Sequence, residues 1–263
     1  MDEKDYINKR YREIIEKWQE RTNGSHDNRL AILDSFHIIF AYNSNKIENQ
    51  ETTYHDTREI FENGKVINFT GDIRTLFEIQ NQKKCVPVIE KYLSENAVIT
   101  KEMILNVHKV LMDGCYSEDR FIKGERPRSF KKHDYGVGDD IGVMPEDVET
   151  EIEFICRELK ENEGKDPLKI ASYFHLAFES IHPFADGNGR TGRTLMNYYL
   201  IAHDYPPVVV YEEDKAAYYM ALSLFDKTDK LDGMELFLKS ETIKTWEKRF
   251  LENRRFSGEE YGL

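Results

Sequence analysis

The sequence predicts a mainly α-helical bundle with one small β-hairpin, and three observations carry that prediction. Apolar residues recur with a period near 3.6 along most of the 263-residue chain. Residues that start and stop helices bracket the periodic stretches. Glycine and proline instead collect between Gly114 and Pro145, where one run, Ser129 to Tyr135, reads as extended. With 40% apolar residues, 15 Phe and 15 Tyr, there is ample material for a packed core.

Tyr11, Ile14, Ile15 and Trp18 fall at i, i+3, i+4 and i+7 ahead of Asn23-Gly24, which predicts a first amphipathic helix with its stop. Leu30 to Tyr42 predicts a more apolar helix, and Thr53 to Glu62 another that ends at Asn63-Gly64. Ile73 to Leu93 is periodic, with Pro87 expected to kink or divide it. Thr100 is placed to cap a helix carrying Met103, Ile104, Val107, Val110 and Leu111 on one side. Gly114 to Pro145 reads as loop plus the hairpin, after which Val148, Ile152, Ile155 and Leu159 restore the helical period. Asp166-Pro167, a cap followed by a first-turn proline, opens a helix through Phe174 and Phe178. That helix must end near His182, because Pro183 disfavours helical geometry in the residue before it. The next is predicted to start at Asn188 or Gly189, since Leu195, Met196, Tyr199 and Leu200 resume the period. Phe250 to Leu263 reads as a fraying terminus.

A formal net charge of -12 with 33% charged residues argues against a protein held to DNA or RNA by counterion release, which needs a basic stripe. Met1-Asp2-Glu3-Lys4-Asp5 lacks the apolar core of a signal peptide, and no run approaches a membrane span of ~18 apolar residues, so a cytoplasmic location is expected, without membrane partners. Cys85, Cys115 and Cys156 are odd in number and lack CxxC spacing, as reduced thiols would be.

The densest chemistry lies at His182-Pro-Phe-Ala-Asp-Gly-Asn-Gly-Arg-Thr-Gly-Arg193, a loop running into the amino end of a helix. Unpaired amides and the helix dipole there favour an anion, and a phosphate is the natural occupant. Gly187 and Gly189 let the main chain approach closely around Asn188 and form a small amide cup. Arg190 and Arg193, three apart, can each fork onto phosphate oxygens. Asp186 is a hard oxygen ligand of the kind Mg²⁺ shares with phosphates, and His182, with a reference pKa of ~6.5, is a candidate base. Each part alone is ordinary turn, cap or surface chemistry; the combination is what points to nucleotide handling.

This stretch resembles the signature of the Fic family, His-x-Phe-x-Asp/Glu-Gly-Asn-Gly-Arg-x-x-Arg, at every defined position, and a looser likeness runs over about residues 99 to 240. The resemblance implies a Fic-type helical bundle whose hairpin is a flap, and an enzyme that transfers AMP from ATP to a protein hydroxyl with release of pyrophosphate. By the family pattern His182 deprotonates the acceptor, Phe184 pins the loop, and Asp186 holds Mg²⁺ on the α- and β-phosphates. Gly187, Asn188 and Gly189 form the anion cup, Arg190 takes the β-phosphate and Arg193 the γ-phosphate. Phe130 to Tyr135 resembles the flap edge that registers the target protein, and self-modification or a homodimer are further expectations. Tyr218-Tyr219, with Asp226 beyond, resembles the adenine-contacting region, although many members carry Asn where Asp226 stands.

Upstream, Ser44-Asn45-Lys46-Ile47-Glu48-Asn49 fits the family's inhibitory motif, Ser/Thr-x-x-x-Glu-Gly/Asn. The likeness implies that Glu48 reaches Arg193 and occupies the place of the γ-phosphate, with Ser44 and Asn49 completing the motif. The alternative for the same residues is a capping box in which Asn45 caps a short helix and Glu48 answers three residues later. The domain expectation is N-terminal helices over 1–98 with an inhibitory helix at about 43–50, a catalytic core over 99–240, and a C-terminal helix and tail over 241–263. The same scaffold also serves UMP, phosphocholine or phosphate transfer, removal of AMP, or a silent interaction or toxin-antitoxin role; the intact second glycine and last arginine favour AMP. His175, Glu179 and His182 share a helix face but lack His-Glu-x-x-His spacing, so local hydrogen bonding is preferred over a metal there.

Overall fold

The computed structural model describes residues 2–135 and 142–252. Among them are α1 (Glu3–Thr22), α2 (His26–Glu48), α3 (Tyr54–Asn63), α4 (Ile73–Ser94), α5 (Lys101–Leu111) and α6 (Glu118–Ile122). They continue with α7 (Val148–Glu161), α8 (Pro167–Ile181), α9 (Asn188–Ala202), α10 (Lys215–Thr228) and α11 (Asp232–Glu247), the last running into a wider turn over Lys248–Glu252. None of these helices is long and apolar enough to cross a membrane.

Local chemistry sets most boundaries. The side chains of Asp2, Ser25, Thr53, Asp72, Thr100 and Asp166 accept hydrogen bonds from amides of the first turns they precede. Asn23, Gly64 and His182 close α1, α3 and α8 in the left-handed conformation. The sequence predicts the starts at Thr53, Thr100 and Asp166 and these three stops; the caps at Asp2, Ser25 and Asp72 are additional, and α2 starts four residues before the expected Leu30.

The centre of the bundle is α9, packed by α8 and flanked by α5, α2 and α4. Every residue from Arg190 to Ile201 is buried, so this helix has no solvent face and its polar members must find partners inside. Asn197 does so by clamping the backbone of Val208, donating to its carbonyl at 2.8 Å and accepting from its amide at 2.7 Å. At the far side α1 lies along α11, joined to α2 through Trp18 edge-on to Trp246 at 5.4 Å and Phe36 stacked on Trp246 at 5.8 Å. Cys85, Cys115 and Cys156 are all free thiols.

Four expectations are corrected. Residues 43–48 are no separate helix but the final turns of α2, so Asn45 lies inside a helix and caps nothing. Pro87 does not divide α4, which continues through it from Ile73 to Ser94, packed on α2 and α5. Glu118–Ile122, expected as loop, forms α6. The hairpin is not seen among the described residues: in the run Phe130 to Tyr135 the Lys131 amide donates to the Pro183 carbonyl at 2.9 Å and the Lys132 amide to Glu125 Oε1 at 3.0 Å, leaving no ladder. The expected return arm falls largely on residues 136–141, and the tail with Arg254-Arg255 and Glu259-Glu260 on 253–263; both lie outside the described residues.

Candidate active site

Helix α8 ends at His182, whose φ of 50° turns the chain sharply so that Pro183 to Gly187 loop back toward α9. Phe184 anchors this loop, fully buried and stacked on His108 with centroids 3.6 Å apart. His108 Nε2 lies 3.0 Å from the Asp186 carbonyl, and its Nδ1 accepts from the Arg128 amide at 3.0 Å, so one buried ring fixes two backbone segments. Asn188 closes the loop from the other end, accepting from the Phe184 amide at 2.9 Å and donating to its carbonyl at 2.8 Å. Its side chain is therefore a staple, and only its backbone remains for the cup.

Gly187 takes φ 82°, and a Cβ there would also strike Met112 Sδ at 2.4 Å. A Cβ at Gly189 would stand 2.4 Å from Glu48 Oε1 and 2.7 Å from Arg193 Nη1, in the space the cup encloses. Helix α9 begins without a side-chain cap, so its first-turn amides have no partner of their own helix and are free for an anion. Glu48, Glu179, His182, Asp186 and Arg193 wall a cleft of about 170 Å³ here, with Tyr218 and Tyr219 at one side. That is below the ~300–1,000 Å³ usual for small-molecule sites.

What narrows the cleft is Glu48. Its Oε1 lies 2.8 Å from Arg193 Nη2, while Arg193 also donates through Nε to Ser44 Oγ at 3.1 Å and through Nη2 to the Ser44 carbonyl at 2.9 Å. Ser44 and Glu48 stand one turn apart on α2 and so meet the guanidinium from one face. Burial favours the neutral acid in Glu48, but Arg193 and then Arg190 outweigh it and hold the carboxyl below its ordinary range. Arg193 is itself fully buried, yet Glu48 keeps 32% of its side-chain surface open, so it can be displaced from the solvent side.

The two arginines do not share one side as their spacing suggests. Arg190 turns away from the cleft, its Nη2 3.2 Å from Asp186 Oδ1 and its Nη1 2.8 Å from Glu78 Oε1. Arg74 Nη2 sits 2.8 Å from Asp186 Oδ2 and Arg120 Nη2 3.5 Å. Burial would raise the Asp186 carboxyl, but Arg190, Arg74 and Arg120 keep it low and ionised. Burial, then the nearby Lys131 ammonium, pushes His182 down to about 4, so its imidazole is a free base at neutral pH, with no partner on Nδ1.

Tyr219 lines the cleft and is partly exposed, whereas Tyr218 is buried and its hydroxyl lies 2.8 Å from His175 Nε2. Asp226 stands outside the cleft wall and accepts from Ser180 Oγ at 2.6 Å. Asn49 points from the end of α2 onto α4. Sequence reading missed Glu78, Arg74 and Arg120; nothing local marks them, since α4 and α6 bring them in from 112 and 66 residues before Asp186.

Residues 98–200 match the family model described as Fic/DOC family. This stretch is a Fic domain. The protein adenylyltransferase Fic of Drosophila persimilis is 28% identical over 233 residues, covering 82% of this chain and 44% of the relative. The protein of the same name from Nematostella vectensis is 29% identical over 227 residues, covering 80% and 50%. The chain thus spans about half the length of the curated relatives it matches. A solved Fic-domain signalling protein from Bacteroides thetaiotaomicron shares the fold with a TM-score of 0.79 at 20% identity, over 96% of this chain and 100% of that one. The likeness of fold extends beyond the matched stretch to α2 and α4, from which Glu48 and Glu78 reach the Fic domain.

Proposed function

We propose that this chain is a protein adenylyltransferase held in check by its own Glu48. The observation that carries the reading is the Glu48–Arg193 pair standing over an uncapped helix amino end beside a free imidazole. In the reaction the acceptor hydroxyl of a Ser, Thr or Tyr attacks the α-phosphorus of ATP. The bond from that phosphorus to the oxygen bridging to the β-phosphate breaks, pyrophosphate leaves, and the hydroxyl proton passes to His182. Little else is required of the protein than position and charge.

Asp186 is the one motif carboxylate on the cleft wall, and among the described residues no group of three or more His, Cys, Asp or Glu could hold a metal unaided. That donor set fits Mg²⁺, which binds through one or two carboxylates together with substrate phosphates. Asp186 would hold the ion, and the ion would neutralise phosphate charge. Arg193 and the amides of Gly187 to Gly189 would take phosphate oxygens, Arg193 only after Glu48 has left it. The target protein, another copy of the chain included, would lie along Phe130 to Tyr135, whose first ring packs 5.7 Å from Phe184. A cytoplasmic location remains part of the reading.

The test is a pair of variants. Glu48→Gly incubated with labelled ATP and Mg²⁺ is expected to gain self-modification by about one to two orders of magnitude, the value of a charge-assisted hydrogen bond of ~1.5–3 kcal/mol. Adding His182→Ala is expected to lower incorporation by ~10²–10⁴ while ATP still binds. No incorporation from any of the four nucleotide triphosphates would leave a silent interaction module instead.

A further inference from the structure

Helix α4 lies outside the residues matched to the Fic family, yet it carries a carboxylate onto Arg190 of the 182–193 signature, behind the cleft wall. Glu78 is 2% exposed. Its Oε1 takes the guanidiniums of Arg190 at 2.8 Å and of Arg74 at 2.9 Å, the first as a close ion contact whose N–H does not line up on the oxygen. Its Oε2 accepts from Asn49 Nδ2 at 2.8 Å. Asn49 is the residue that ends α2, and the same amide nitrogen reaches Thr75 Oγ1 at 2.9 Å. Asn49 Oδ1 accepts from the Glu51 amide, and Glu51 Oε2 in turn accepts from the amide of Asp72, the cap of α4.

The carboxyl end of the inhibitory segment is therefore held in two ways. Glu48 grips Arg193 directly, and one residue later Asn49 is tied to Arg190 through Glu78. A buried carboxylate needs its charge matched, and among the described residues Glu78 finds that match in Arg190 and Arg74. Any shift of Arg190 toward a phosphate changes what Glu78 can offer Asn49.

We propose that Glu78 is a positioning residue that couples Arg190, the motif arginine turned away from the cleft, to the end of the inhibitory helix through Asn49. The proposal rests on the adenylyltransferase reading for its consequence but not for its physical content. Glu78→Gln removes the charge and leaves one acceptor for three donors. Asn49→Ala removes the amide and touches neither arginine, so it serves if the first variant folds poorly.

The experiment measures two things in the full chain: amide hydrogen exchange over residues 45–49, and AMP incorporation with and without Glu48→Gly. Both variants are expected to speed exchange in that last turn by about tenfold, with α8 and α9 unchanged, the loss of one hydrogen bond to a charged group. Each is also expected to raise incorporation several-fold in the otherwise native chain but to add nothing in the Glu48→Gly background. There, Glu78→Gln is expected to raise the KM for ATP more than it lowers kcat. Unchanged exchange at residues 45–49 in both variants overturns the coupling. Faster exchange with no incorporation even from Glu48→Gly upholds the coupling and overturns the transfer reading instead.

Discussion

At the scale of single residues, the candidate base differs from an ordinary histidine in one measurable way. Burial lowers His182 to about 4, so the proton-accepting form persists far below neutrality. In Glu48→Gly, kcat/KM for ATP is expected to stay flat from about pH 8 to 5 on account of this group and to fall only near its lowered value; an acid limb near ~6.5 would mean a solvated imidazole. That the 182–193 groups sit on one turn between two helices was legible in the sequence, because such a turn writes its needs in adjacent letters. Two side-chain directions were not. Asn188 spends its side chain on the Phe184 backbone, and Arg190 faces α4, since the direction a buried guanidinium takes is decided by carboxylates that other helices bring. Glu78 looks in sequence like any charged residue between Phe77 and Ile79.

At the scale of elements, caps and left-handed stops were readable at Thr53 with Gly64 and at Asp166-Pro167, while the equally local caps Ser25 and Asp72 were passed over. In sequence the run at 129–135 reads as extended from its place among glycines and prolines, while the amides of Lys131 and Lys132 are drawn inward by Pro183 and by the buried Glu125, which also takes the hydroxyl of Tyr135 at 3.1 Å and lies 2.9 Å from His133 Nδ1. Pro87 is expected from sequence to kink or divide α4, but the packed helix is undivided. The cost of the proline should still be there to recover. Pro87 is exposed, and Pro87→Ala restores an amide donor inside α4. Part of that gain is offset by a freer unfolded chain, so a rise of roughly 2–8 °C in Tm is expected by calorimetry. No rise would place the strain of Pro87 elsewhere.

At the scale of the whole molecule, stability is expected to pass through a maximum. Burial pushes His37 and His182 down to about 4, and His108 and His175 to about 3. These bind protons in the unfolded chain near ~6.5 but not in the folded one, so stability falls as pH drops from there toward the folded values. Glu48 and Asp186, held low by arginines, lose their share further into acid. In the other direction burial lifts Glu179 to about 8 and Glu241 to about 7. They keep their protons when folded and release them near ~4.5 when unfolded, so this stability declines as pH climbs toward the folded values. The urea midpoint is expected to peak at about pH 6 to 7.5 and to fall on both sides; a plateau down to pH 4.5 would show the four rings to be solvated.

Helix α2 runs unbroken for 23 residues from His26 to Glu48, with Asn43 accepting the Glu212 amide at 3.1 Å and Lys215 bonded to the Ile47 carbonyl. The described residues of α2 therefore contain no break about which its last turn could swing. On the proposed reading, release of Arg193 would need side-chain rotation of Glu48 or unwinding from the carboxyl end backwards, so a partner that seized residues 49–53 would open the clasp and one that tugged at α1 would not.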